Sequence, residues 1–202
     1  MSPAHVLEPT YQTLKRRLIY GFWPGGLRLE ANKIADSLGV SMTPVRDSLY
    51  RLTGEQLVDF VHGEGFRVPL LTETKLRDLF GLHQLLTQIP LASSARAPRP
   101  QIAANDAADR TASIFRHIAT RSQNAELIAT IALTGDRLFS AWNVEAKIFP
   151  NLASELGEIQ AALVGSSTAD ALLRGLLVRY HERRIAEAPN YVRLLSTKMA
   201  RD

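Results

Sequence analysis

The feature that most limits what this chain can fold into is the order of elements between Ala31 and Val68: two short helices, a tight turn between them, then a hairpin. From Ala31, the apolar residues Ile34, Ala35 and Leu38 fall at helical spacing, and Gly39 follows where a left-handed residue ends a helix cheaply. A second helix is predicted from Thr43-Pro44-Val45-Arg46, with the threonine hydroxyl as cap and proline at the first helical position, where it has no hydrogen bond to lose. Val45, Leu49 and Leu52 then face inward, and Thr43, Arg46, Asp47 and Tyr50 face outward. Leu57 to Val61 and Phe66 to Val68 are short runs of β-branched and aromatic residues joined by His62-Gly63-Glu64-Gly65, a hairpin.

Upstream, Tyr11, Leu14, Leu18 and Ile19 predict a first helix with Lys15, Arg16 and Arg17 on its wet side. It stops before Pro24-Gly25-Gly26, after which Leu27 and Leu29 flank Arg28 with the period of a short strand. Residues 69 to 73 supply a proline and a capping threonine, and set a boundary after residue 72. From Thr74 onward apolar residues recur at threes and fours with no strand among them, which predicts an all-α bundle of about six helices over residues 73–202. Pro90, Ala97-Pro98-Arg99-Pro100 and Pro150 mark its breaks. The fold class is therefore mainly α: an N-terminal winged helix-turn-helix over residues 1–72 and a C-terminal helical domain.

A helix-turn-helix followed by a hairpin suits double-stranded DNA because one α-helix fits the major groove and its outward N-terminal side chains reach base edges. Here those side chains are Ser41, Met42, Thr43 and Arg46, with Tyr50 and Arg51 further along and Arg28 and Lys33 nearby. Arg46 can bond a guanine bidentately, and Ser41 and Thr43 can donate to phosphates. The hairpin tip, His62-Gly63, is compact enough for backbone to approach a groove. Charge adds little to the case: the net charge is +4, but residues 1–72 hold eight Lys and Arg against seven Asp and Glu.

Composition excludes several other classes. There is no cysteine, hence no disulfide framework and no thiolate chemistry. The five histidines (His5, His62, His83, His117 and His181) fall in no metalloprotease pattern, and no phosphate-binding loop or nucleophile elbow is present. An enzyme built on the helical bundle is the weaker alternative. No apolar run is long enough to cross a bilayer, so a cytoplasmic, membrane-free protein is expected.

The run Gly26-Leu27-Arg28-Leu29-Glu30, followed by Ile34 through Leu52 with its Thr43-Pro44-Val45-Arg46 segment, resembles the DNA-binding domain of GntR-type transcription regulators. The helical remainder is similar to the FadR subgroup and its FCD effector domain. The resemblance implies a homodimeric regulator, a repressor by type, on a palindromic operator, with DNA contacts at Ser41, Thr43, Arg46, His62 and Gly63. It also implies control by a small-molecule effector such as an organic acid. Met42 stands where the family usually has arginine.

Many FCD domains hold a metal on one aspartate and three histidines, but the corresponding positions here are Thr111, Phe115, Leu156 and His181. His117 lies about 200° around the helix from the expected position. No bound metal or other cofactor is expected. His83 and Thr87 replace an Arg and a Glu of the family's first bundle helix, and an effector pocket would be lined by His83, Arg137 and His181. The alternative is that the bundle only dimerises, through the apolar surplus at Leu79, Phe80, Leu82, Leu85 and Leu86.

Overall fold

A computed structural model of the chain describes residues 3–92, 106–164 and 169–199. The chain divides into two compact units, Met1–Leu71 with Leu195–Asp202, and Thr72–Leu194. The first contains α1 (Pro3–Ile19), β1 (Arg28–Leu29), α2 (Ala31–Leu38), α3 (Met42–Gly54), β2 (Asp59–Val61) and β3 (Gly65–Arg67).

Its core is the set of apolar residues that the helical spacing picks out. Leu14 of α1 and Val45, Leu49 and Leu52 of α3 are wholly buried, joined by Ile34 and Ala35 of α2 and by Leu29 and Phe66 of the sheet. Helix α1 begins well before Tyr11, and Pro9 lies inside it, where the hydroxyl of Thr13 donates to the Pro9 carbonyl. Lys15 is not on the wet side: its ammonium pairs with Glu55 at 2.8 Å, and both side chains are at most one-fifth exposed. That pair ties α1 to the residue just past α3.

The strands form an antiparallel sheet in the order β1-β3-β2, with Arg28 opposite Arg67 and Phe60 opposite Phe66. Alternation does the sorting: Leu29 and Phe66 point into the core while their neighbours do not. Between β2 and β3 the chain turns through three residues, with Gly63 and Gly65 at φ of 80° and 87°. A side chain at either would strain that backbone.

The second unit contains α4 (Glu73–Gln88), α5 (Ala107–Thr120), α6 (Ala125–Trp142), α7 (Leu152–Val164), α8 (Ala169–Ala186) and α9 (Ala188–Met199), whose last residues fall in the first unit, and two short 3-10 turns. No strand occurs in it among the described residues. Thr72, Asp106 and Asn124 each cap the helix that follows, accepting from the backbone N–H three residues on. Pro90 lies in a 3-10 turn and Pro150 just ahead of α7. The predicted break at Ala97–Pro100, and the segment on to Asn105, lie outside the described residues.

One polar network is sunk into the bundle. The guanidinium of Arg184 donates to both carboxylate oxygens of Glu145 at 3.1 Å and to Glu155 at 3.0 Å, and stacks on the Tyr180 ring. The Tyr191 hydroxyl donates to Glu145 at 2.8 Å. Arg184 and Glu145 are wholly buried, so burial pushes the Glu145 carboxyl up while Arg184 and the Tyr191 hydroxyl act in the opposite direction. Removing either partner would strand the other, at a cost of about 3–5 kcal/mol.

Candidate nucleic-acid interface

The turn from α2 to α3 is made by three residues. Gly39 has φ of 65°, and its N–H and that of Val40 bond back to Asp36 and Ala35 of α2. Helix α3 then starts at Met42, with Ser41 in extended backbone as its N-cap and no side-chain capping bond. The predicted cap at Thr43 is therefore corrected: the helix begins earlier, and Pro44 sits inside its first turn. Proline is tolerated there because first-turn N–H groups have no intrahelical acceptor.

Burial of one side of α3 fixes what the other side offers. With Val45, Leu49 and Leu52 wholly buried against α1, the residues Ser41, Met42, Thr43, Arg46, Asp47 and Tyr50 are exposed. Met42, Arg46 and Tyr50, four residues apart, form one stripe. The inward face also holds Ser48, whose buried hydroxyl donates to the Pro44 carbonyl at 2.7 Å.

The wing is braced against this helix by aromatic rings. Tyr50 meets Phe66 edge-on at 4.9 Å and Phe60 at 5.5 Å between centroids, and Phe60 and Phe66 lie 5.2 Å apart. Tyr50 is thus both an outward residue of α3 and the strut between helix and hairpin. Phe60 was missed in the sequence, where an exposed aromatic in a three-residue strand gives no signal beyond strand propensity. His62 and Gly63 sit exposed at the hairpin tip. Arg67 on β3, also missed, pairs with Glu64 of the same turn at 2.7 Å.

The remaining basic residues divide. Arg28 is exposed on an edge strand, and Lys33 is exposed and pairs with Glu30 at 2.7 Å. Arg51 is engaged elsewhere: its guanidinium lies 3.6 Å from the centre of the Tyr11 ring and pairs with Glu8 at 2.8 Å. The Tyr11 hydroxyl in turn donates to Glu55 at 2.6 Å. Arg51 lies about 140° around the helix from Arg46, on the side where α1 packs.

In the second unit, His83 of α4 and His181 of α8 come together, Nδ1 to Nε2 at 2.9 Å. The Nδ1 of His181 lies 2.6 Å from the Leu177 carbonyl, which can only accept, so Nδ1 carries the proton and Nε2 accepts from His83. His83 Nε2 is then a bare lone pair, buried and without a hydrogen-bond partner among the described residues. Phe115 packs on both imidazoles, edge-on to His83 at 4.4 Å. Arg137 is half-buried on α6, its Nε without a partner among the described residues, and burial lowers its pKa.

The positions aligned with metal ligands do not fit a metal. Thr111 donates to the Ala107 carbonyl, Phe115 fills the space beside the histidines, and Leu156 is wholly buried. Among the described residues no group of three or more His, Cys, Asp or Glu could hold an ion. No described helix is long and apolar enough to cross a membrane.

Comparison with known proteins points the same way as the geometry. Residues 8–68 match the pattern of bacterial regulatory proteins of the gntR family. The HTH-type transcriptional regulator McbR of Escherichia coli (strain K12) is 30% identical over 88 residues, which is 44% of this chain and 40% of that relative's length. Two solved structures share the fold over nearly the whole chain. A protein described as a transcriptional regulator GntR from Rhodococcus sp. RHA1 superposes with a TM-score of 0.77 at 18% identity, over 91% of this chain and 97% of the other. E. coli McbR/YncC superposes with a TM-score of 0.65 at 20% identity, over 92% and 97%. The family matched and these relatives are transcription regulators, not enzymes.

The buried histidine pair sets an expected pH dependence. Burial pushes His181 down to about 4, and burial and the neighbouring imidazole hold His83 well below its usual range. Both groups therefore bind protons more weakly folded than unfolded, so their contribution is whole above about pH 6.5 and is lost as pH falls toward 4. For His181 alone the loss is on the order of 3 kcal/mol. Thermal melts from pH 7 to pH 4.5 should show a steeper fall for wild type than for the His83→Gln/His181→Gln variant. Equal slopes would contradict this reading.

Proposed function

We infer, from a chain whose residues 8–68 carry the gntR-family pattern, that it is a non-catalytic regulator of transcription that binds double-stranded DNA as a homodimer. Helix α3 enters the major groove and the tip of the β2–β3 hairpin lies against a neighbouring groove. The observation that carries this reading is the single outward face of α3, with Arg46 between Met42 and Tyr50 and with Ser41 and Thr43 beside them, braced to the wing by the Tyr50–Phe60–Phe66 rings. Ser41, Thr43, Arg28 and Lys33 serve phosphates, Arg46 a base, and His62 and Gly63 the second groove. Arg51, held by Glu8 and Tyr11, steadies α1 against α3.

One recognition helix reads only a few base pairs, so useful affinity needs two, held about 34 Å apart on a palindromic operator. The surface proposed for pairing lies on the second unit. Leu79 and Phe80 of α4 belong to the bundle core, but Leu82 and Leu85 on α4 and Ile89 just past its end are 42%, 69% and 54% exposed at helical spacing. An apolar stripe of that kind on a helix is complementary to a second copy of itself.

The bundle is also proposed to take a small organic anion. Arg137 supplies a half-buried guanidinium whose Nε has no partner among the described residues, and a carboxylate would satisfy it. The His83–His181 pair is a second buried polar feature of the same bundle. The packed Phe115 and Leu156 favour the alternative, a bundle that only dimerises.

Three outcomes are expected. Arg46→Ala should keep the wild-type melting temperature and lose about tenfold to a hundredfold in affinity for an operator half-site, the value of one bidentate base contact; unchanged affinity in a gel-shift titration would remove Arg46 from the interface. Leu85→Glu should turn a dimer into a folded monomer by light scattering at micromolar concentration; a variant that stays dimeric would place the contact elsewhere. Among small organic acids screened by thermal shift, at least one should raise the melting temperature of wild type and fail to do so for Arg137→Ala. No shift with any of them would leave dimerisation as the bundle's role.

A further inference from the structure

Resting on the proposed placement of α3 in the major groove, we propose that Met42 is a specificity-determining residue that reads the 5-methyl group of a thymine close to the base contacted by Arg46. Met42 is the first residue of α3, ahead of the buried Val45, Leu49 and Leu52, and is 47% exposed. It is a large apolar side chain amid Ser41, Thr43, Arg46 and Asp47, all exposed and polar. Among the base edges of the major groove, thymine alone offers a methyl group; the other groups there are hydrogen-bond donors and acceptors that a thioether cannot match. A flexible, polarisable methionine is well suited to cover a methyl group.

The spacing fixes where that thymine lies. Met42 and Arg46 are four residues apart on one stripe, about 6 Å along the helix axis. At about 3.4 Å per base pair, the two side chains reach bases one or two steps apart. The far end of the stripe is held by Tyr50, whose ring packs against both Phe60 and Phe66, so the register of Met42 against the DNA is set by a braced helix.

The test begins by selecting duplexes from a random library with the full-length chain. The enriched sequence should hold a guanine with a thymine one or two base pairs away. Replacing that thymine by uracil removes only the methyl group and should weaken wild type about fourfold, the effect of leaving one methyl in water. Met42→Ala, at an exposed position that leaves the fold intact, should bind the thymine and uracil duplexes equally. Met42→Arg, reselected on the same library, should enrich guanine in place of that thymine. Wild type that binds both duplexes equally, or Met42→Ala that discriminates as wild type does, would overturn the inference while leaving DNA binding standing. A selection that enriches no sequence would overturn both this inference and the function it rests on.

Discussion

The packing of α1 on α3 is the constraint on which the first unit depends. Leu14, Val45, Leu49 and Leu52 are wholly buried, and each fully buried aliphatic side chain contributes about 1.5–3 kcal/mol. Because one side of α3 is fixed inward, the rotation of the helix about its own axis is settled, and so is the set of residues it shows to solvent. Two further ties remove the remaining freedom. Lys15 and Tyr11 reach Glu55 at the end of α3, and Glu8 reaches Arg51. These are surface and half-surface pairs of small individual worth, but they clamp the C-terminal half of α3 while its N-terminal half stays open.

The second unit is held differently. Its centre is not wholly apolar: Arg184, Glu145, His83 and His181 are all fully buried. Such groups are stable only when their partners are in place, so the network ties α7, α8, α9 and the turn after α6 to one arrangement. Phe115 packs on both members of the histidine pair. Thr111, Phe115 and Leu156 are all buried in the bundle.

Much of the first unit was legible in the sequence because its signals are local. The 3–4 spacing of Ile34, Ala35 and Leu38, the glycine at 39, and the alternation in the hairpin each follow from backbone geometry. The outward set Thr43, Arg46, Asp47 and Tyr50 follows from the inward one by subtraction. What the sequence hid was contact between distant residues. Nothing in the pattern around Arg51 announces Glu8, forty-three residues earlier, and Lys15 at an apparently wet position is claimed by Glu55. Thr43-Pro44 forms a good cap in isolation and so points to a later start for α3, whereas the turn geometry after Gly39 brings Ser41 to that position. In the bundle, spacing separated the helices but could not say which of the leucines on α4 faces a neighbour: Leu79 is buried and Leu85 is not.

The proposed role of the first unit requires that the open end of α3 and the tip of the wing together meet DNA. Amides in the first turn of a helix have no intrahelical acceptor and exchange readily with solvent, so contact there is visible by hydrogen exchange. With a saturating selected duplex, the full-length chain should gain protection at residues 42–46 and at 62–65. Protection absent from both segments, or gained only within Thr72–Leu194, would contradict the account.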